Sequence, residues 1–138
     1  MMTPHRPLPT LDEPDTAPFW TATRGHRLRF QTCDRCQAVI FHPRRHCPRC
    51  GGLDTTWHDS EGRGKVYSFT VVRQHGIGFF AERVPYAVGL VDLDEGFRMM
   101  VEIVADDLET IEIDMRVGVV WEDHEEISIP LFAVDPHA

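Results

Sequence analysis

A chain of 138 residues is the size of one ordinary domain or two very small ones, which excludes a large multidomain enzyme. Apolar residues make up 42% and charged residues 26%, the balance of a folded protein, and no run of about 20 apolar residues is present to cross a bilayer, so no membrane association is expected. The net charge of −8 is uneven: 10 basic and 7 acidic residues precede Val66, and 4 basic and 15 acidic follow from there, so any polyanion should approach the first half while the second disfavours nucleic acid.

Along the chain, five prolines between Pro4 and Pro18 prevent regular hydrogen bonding and predict a tail or extended arm. The opening Met1 to Pro7 lacks the apolar core of a signal peptide, so a cytoplasmic location is expected. Asp15 or Thr16 can cap a short helix that tolerates Pro18 in its first turn and ends at Gly25. Phe19 and Trp20 make this helix an anchor, either on the chain's own body or on a partner. Arg27 to Phe30 alternates like a strand, and Gly51 to Gly64 reads as a polar connector. Beyond it the pattern is β: Lys65 to Gln74, Tyr86 to Leu93, Phe97 to Val104, Met115 to Glu122 and Ile127 to Val134, with Asp94-Glu95-Gly96 as a tight hairpin. Five strands with almost no helix suit a small barrel of the oligonucleotide/oligosaccharide-binding (OB) type. The expected divisions are residues 1–31 as tail and anchoring helix, 32–63 as ribbon and 64–138 as barrel.

All four cysteines lie in one pattern, Cys33-x-x-Cys36 and Cys47-x-x-Cys50, with ten residues between the pairs. Each Cys-x-x-Cys turn puts two thiolates on one side of a knuckle, and two facing knuckles complete a tetrahedral S₄ site that suits one zinc ion per chain. Two disulfides, or an iron centre of rubredoxin type, use the same residues, but reduced thiols in a cytosolic setting favour zinc. Four protein ligands close the site, so the metal is expected to be structural; His42 and His46 stay outside the ligand set. With every thiol committed, no cysteine remains as a nucleophile, and none of Ser60, Ser68 or Ser128 sits in a Gly-x-Ser-x-Gly elbow. His75 and Glu82, in or near a glycine-rich loop, are the remaining candidates for acid–base chemistry, and the run Glu122 to Glu126 reads as solvated surface.

Taken in order, Phe19-Trp20, Leu28-x-Phe30-x-x-Cys33-x-x-Cys36 and Phe41-x-Pro43-Arg44-x-x-Cys47-Pro48-x-Cys50 resemble the DUF35 family, as do Pro85 to Val91, Asp94-Glu95-Gly96, Gly118-Val119 and Pro130-Leu131-Phe132. Gln37 departs from that pattern, which commonly has glycine after the second cysteine. The resemblance implies a mainly β protein with a short N-terminal helix, a rubredoxin-like zinc ribbon and a five-stranded OB-fold barrel. It further implies a non-catalytic accessory subunit working beside a thiolase-like, aldolase or MaoC-like hydratase partner, with a CoA thioester as ligand. Arg44, Arg45 and Lys65 are the candidate contacts to the CoA phosphates, since the segment from Arg24 to Lys65 is basic, and Phe19 and Trp20 are the candidate partner contacts. The competing class is a nucleic-acid-binding module that uses Tyr67, Phe69, Phe79 and Phe80 as stacking platforms.

Overall fold

The computed structural model describes residues 5–134; the outermost ends of the expected tail and barrel, 1–4 and 135–138, lie outside it. The arm leads into helix α1 (Ala17–Thr23), with Pro18 at its start. No side chain caps this helix; instead the N–H groups of Thr16 and Ala17 donate to the carbonyl of Glu13. The helix stops ahead of Gly25, as expected, but the left-handed residue that turns the chain is His26 (φ 59°). Thr23, fully buried, donates to the Trp20 carbonyl and accepts from the N–H of Ser128, which pins the helix to the end of the chain.

A small sheet follows, of order β2-β1-β3, from β1 (Leu28–Cys33), β2 (Val39–Ile40) and β3 (Thr55–Ser60). Strand β3 occupies what read as a connector: its mostly polar sequence, with Trp57 its one large apolar residue, carries no apolar alternation, and its place comes from six antiparallel pairs with β1. Strand β1 also runs across the expected division between residues 31 and 32.

The barrel is closed, of order β4-β5-β6-β8-β7, from β4 (Arg63–Val72), β5 (Tyr86–Leu93), β6 (Arg98–Val104), β7 (Arg116–Asp123) and β8 (Ser128–Val134). All neighbours run antiparallel except β6 and β8, whose short parallel pairing at Ile103–Phe132 completes closure and removes the free edges. A register shift between Val66 and Ser68 bends β4, so its start serves β7 while its whole length serves β5. Gly96, at φ 100°, makes the β5–β6 hairpin, donating to the Leu93 carbonyl. In place of a plain loop, 78–83 forms a second short helix, α2 (Gly78–Arg83).

The core is continuous between the two sheets. Phe30 of β1 stacks on Phe97 of the barrel at 5.0 Å, Phe41 on Phe97 at 4.9 Å, and Phe19 meets Phe41 edge-on at 5.6 Å. The link between sheets is tied as well: Glu95 of the hairpin accepts from the Ser60 hydroxyl and the Glu61 N–H. A separate small cluster surrounds Cys33, Ile40 and Cys47.

Candidate metal centre and basic groove

Two similar knuckles build the metal centre. In the first, the N–H of Gln37 donates to the Cys33 carbonyl at 2.9 Å, and in the second Gly51 does the same to Cys47 at 2.9 Å. The residue after each second cysteine must turn left-handed, φ 66° at Gln37 and 77° at Gly51. Gln37 thus departs from the family pattern in residue type while keeping the backbone that glycine adopts freely.

The four sulfurs lie within 4.8 Å of one another, with Cys33–Cys50 and Cys36–Cys47 both at 3.6 Å. A Zn–S bond of about 2.3 Å gives tetrahedral edges of about 3.8 Å, so this spacing is that of a zinc tetrathiolate. It is also far beyond a disulfide bond, and all four cysteines are free. The backbone prepares the site for anionic sulfur. Its N–H groups at Cys50 and Arg49 hold Cys47 down to about 7 against the burial that opposes them, and the N–H of Cys36 lowers Cys33 similarly. At Cys36 the N–H of Ala38 pulls down, but burial and the sulfurs of Cys47, Cys33 and Cys50 outweigh it and push the thiol up to about 11. A divalent cation resolves that crowding by replacing the protons. His42 and His46 lie outside the four-sulfur group.

The phosphate candidates divide. Arg44 and Arg45 line a groove of about 390 Å³ with Pro14, Pro18, Leu53 and Trp57. Lys65 stands apart, exposed on β4 opposite Asp92. The Arg45 guanidinium pairs with Asp15 at 3.2 Å, while Arg44 donates from Nε to the His42 carbonyl at 3.2 Å. What sets the Arg44 main chain is Gln31, which sequence reasoning passed over: its amide donates to the Arg44 carbonyl (2.9 Å) and the Thr55 hydroxyl (3.1 Å) and accepts from the Arg44 N–H (3.1 Å). Gln31 falls on a polar position of the Leu28-Arg29-Phe30-Gln31 alternation, so the sequence carried no signal of its burial, which these hydrogen bonds satisfy.

Of the anchoring pair, Phe19 is 4% exposed and belongs to this chain's own core, while Trp20 is half-buried beside it and lines an apolar cavity. The stacking candidates are engaged too. Arg98 lies 3.6 Å over the Tyr67 ring, Phe69 packs on the core, and Phe79 and Phe80 sit edge to face beneath the guanidinium of Arg6. His75 accepts from the Ile77 N–H and leans on Phe80, while Glu82 points to solvent on α2. The acidic run divides: Glu122 pairs with Arg6 and His124, and Asp123, though exposed, with His26 and Ser128, while Glu125 and Glu126 are exposed as expected. No helix among the described residues is long and apolar enough to cross a membrane.

Comparison with known proteins also gives a ribbon followed by a barrel, with the boundary between the two matches falling inside β3. Residues 20–56 match the model of the ChsH2 rubredoxin-like zinc ribbon domain, and 57–122 that of the ChsH2 C-terminal OB-fold domain. A DUF35 domain-containing scaffold protein of Methanothermobacter thermautotrophicus is 32% identical, over 70% of this chain and 72% of its own length. The chain belongs to the DUF35 family. Among solved structures, a chain of the Ltp2-ChsH2(DUF35) aldolase superposes with a TM-score of 0.80 at 32% identity, covering 94% of this DUF35 chain and 98% of its counterpart. The 3-oxo-4,17-pregnadiene-20-carboxyl-CoA hydratase alpha subunit of Mycobacterium tuberculosis is 32% identical over 88% of this chain. This DUF35 chain spans about two fifths of the hydratase alpha subunits it matches. A mainly β architecture, with a zinc ribbon ahead of a five-stranded closed OB barrel, is therefore common to family and structure.

Proposed function

We propose that this chain is a non-catalytic accessory subunit in acyl-CoA metabolism, one that scaffolds a thiolase-like, aldolase or hydratase partner and lends it a basic groove for CoA. The observation that carries this reading is the end-to-end likeness to the DUF35 chain of the Ltp2-ChsH2 aldolase, which leaves almost nothing of either chain unmatched. The chemistry agrees. All four thiols are drawn into one closed tetrathiolate, so the metal supplies folding energy and none of these sulfurs is left to attack a thioester. Arg44 and Arg45, on one groove wall, suit phosphate oxygens; Lys65 adds only general attraction from the barrel. Trp20, half-buried against the buried Phe19, is the aromatic anchor left for a partner.

The test is co-expression with a thiolase-fold, aldolase or hydratase gene adjacent to its own, followed by size-exclusion chromatography and a CoA-release assay on each component and the mixture. Co-elution with raised partner activity or stability is expected. Robust acyl-CoA turnover by the isolated chain would sink the reading, and separate elution would count against the chosen partner.

A further inference from the structure

Helix α2 has no buried residue, no side-chain cap at its start and only six residues, too few to persist by itself. Something else must hold it on the barrel. Arg6, from the proline-rich arm, fills that place with a side chain only 8% exposed. Its Nε donates to Glu122 Oε2 at 2.6 Å and its Nη2 to Glu122 Oε1 at 3.0 Å, a two-pronged grip, and Nη2 also reaches Glu102 Oε1 at 3.4 Å. Glu102 stands on β6 and Glu122 on β7, strands that are separated by β8, so this one guanidinium spans three strands. The same group lies 4.8 Å from the Phe79 ring centre and 5.7 Å from that of Phe80. Arg83, at the far end of α2, joins Glu102 and approaches Glu122 at 3.8 Å, and His124 meets Glu122 at 2.7 Å. Arg6 also forms part of the wall of an apolar cavity of about 320 Å³, together with Trp20, Phe41, Met100 and Leu131.

We infer that Arg6 is a clasp: it fastens the arm across the barrel, holds α2 down through Phe79, and walls off the apolar cavity, so that releasing it frees α2 and opens the cavity together. The arm is thus a strap whose ionic lock, closed on the same two carboxylates that Arg83 of α2 reaches, controls access to the seam between helix, ribbon and barrel. This inference does not depend on which enzyme is the partner.

The full chain, with zinc bound, is compared with Arg6→Ala by amide hydrogen exchange and by fluorescence of the apolar probe 1-anilinonaphthalene-8-sulfonate. Exchange within residues 78–83 is expected to quicken at least fivefold and probe fluorescence to rise, while the amides of β1 and β3 keep their rates. Unchanged exchange and no probe signal in folded, zinc-loaded Arg6→Ala would overturn the clasp. Should that variant fail to fold, Arg6→Lys and Arg6→Met decide. Slow exchange in 78–83 kept by the lysine and lost with the methionine supports an ionic lock, and equal rates in the two mean that Arg6 is merely packed.

Discussion

Gln37 and Gly64 show how much a single backbone position constrains this fold. A non-glycine residue held left-handed costs about 1 kcal/mol, and Gln37 offsets only part of that through a long exposed bond from its amide to the Asp34 carbonyl (3.2 Å). Gln37→Gly is expected to raise stability by about 0.5 kcal/mol without changing zinc content, read by denaturant midpoint and elemental analysis. Gly64 is the opposite case. A Cβ there would overlap the carbonyl oxygen of Asp92 on the neighbouring strand, so Gly64→Ala should cost about 2–3 kcal/mol in the same measurement. Cys47→Ser removes a ligand outright, and zinc is expected to be lost from purified protein. Because Phe30 and Phe41 of the ribbon pack on Phe97, the barrel should lose stability as well, lowering its melting temperature.

Strands β5 and β7 carry three carboxyl groups whose ionised form the fold prefers. The Ser128 hydroxyl and then His26 hold Asp123 below its ordinary 3.8, Arg98 does so for Asp92, and Glu122, though raised by burial, is brought below 4.5 chiefly by Arg6 and His124. A lowered value in the folded state means that folding releases protons in the interval between the lowered and the ordinary value. The stability these groups supply is therefore complete above about pH 4.5 and is lost as pH falls through the lowered values. Comparing wild type with Asp123→Asn separates this from acid release of zinc: the gap in melting temperature should be present at pH 5 and narrow as pH falls through the lowered value of Asp123. Helix α1 gives a second contrast. Phe19→Ala should destabilise the whole fold by about 3–5 kcal/mol. Trp20→Ala should keep the fold and weaken the partner complex, more so than Arg44→Ala, whose effect on CoA binding should fade with salt. The main chain at Arg44 survives that change because Gln31, not the guanidinium, positions it.

For the whole molecule, the question is which polyanions its charge admits. With 15 acidic residues beyond Lys65, and with Arg98 stacked over Tyr67 and Arg6 over Phe79, the barrel has an unfavourable field for a phosphate backbone and stacking rings already engaged by guanidinium groups. Binding to single-stranded DNA or RNA at near-physiological salt is expected to be negligible by fluorescence anisotropy. A micromolar complex would reverse the ranking in favour of a nucleic-acid-binding module.

Strand positions in the barrel, the hairpin at Asp94-Glu95-Gly96 and the metal ligands were all legible in the residues, because each rests on a local rule: two-residue alternation, the turn that glycine permits, and the reach of a Cys-x-x-Cys knuckle. Strand β3 was not, since its polar residues have no pattern of their own and are ordered by pairing with β1. Gln31 continued the polar side of the β1 alternation and gave no hint of burial, because its three bonds to Arg44 and Thr55 join residues 13 and 24 positions away. Arg6 carried no signal at all: 96 and 116 residues separate it from Glu102 and Glu122, and only barrel closure, by setting β8 between β6 and β7, places those two carboxylates within reach of one guanidinium. Local rules act through neighbouring residues and are written in the chain, whereas a distant ion pair exists only once the backbone has fixed both partners in space.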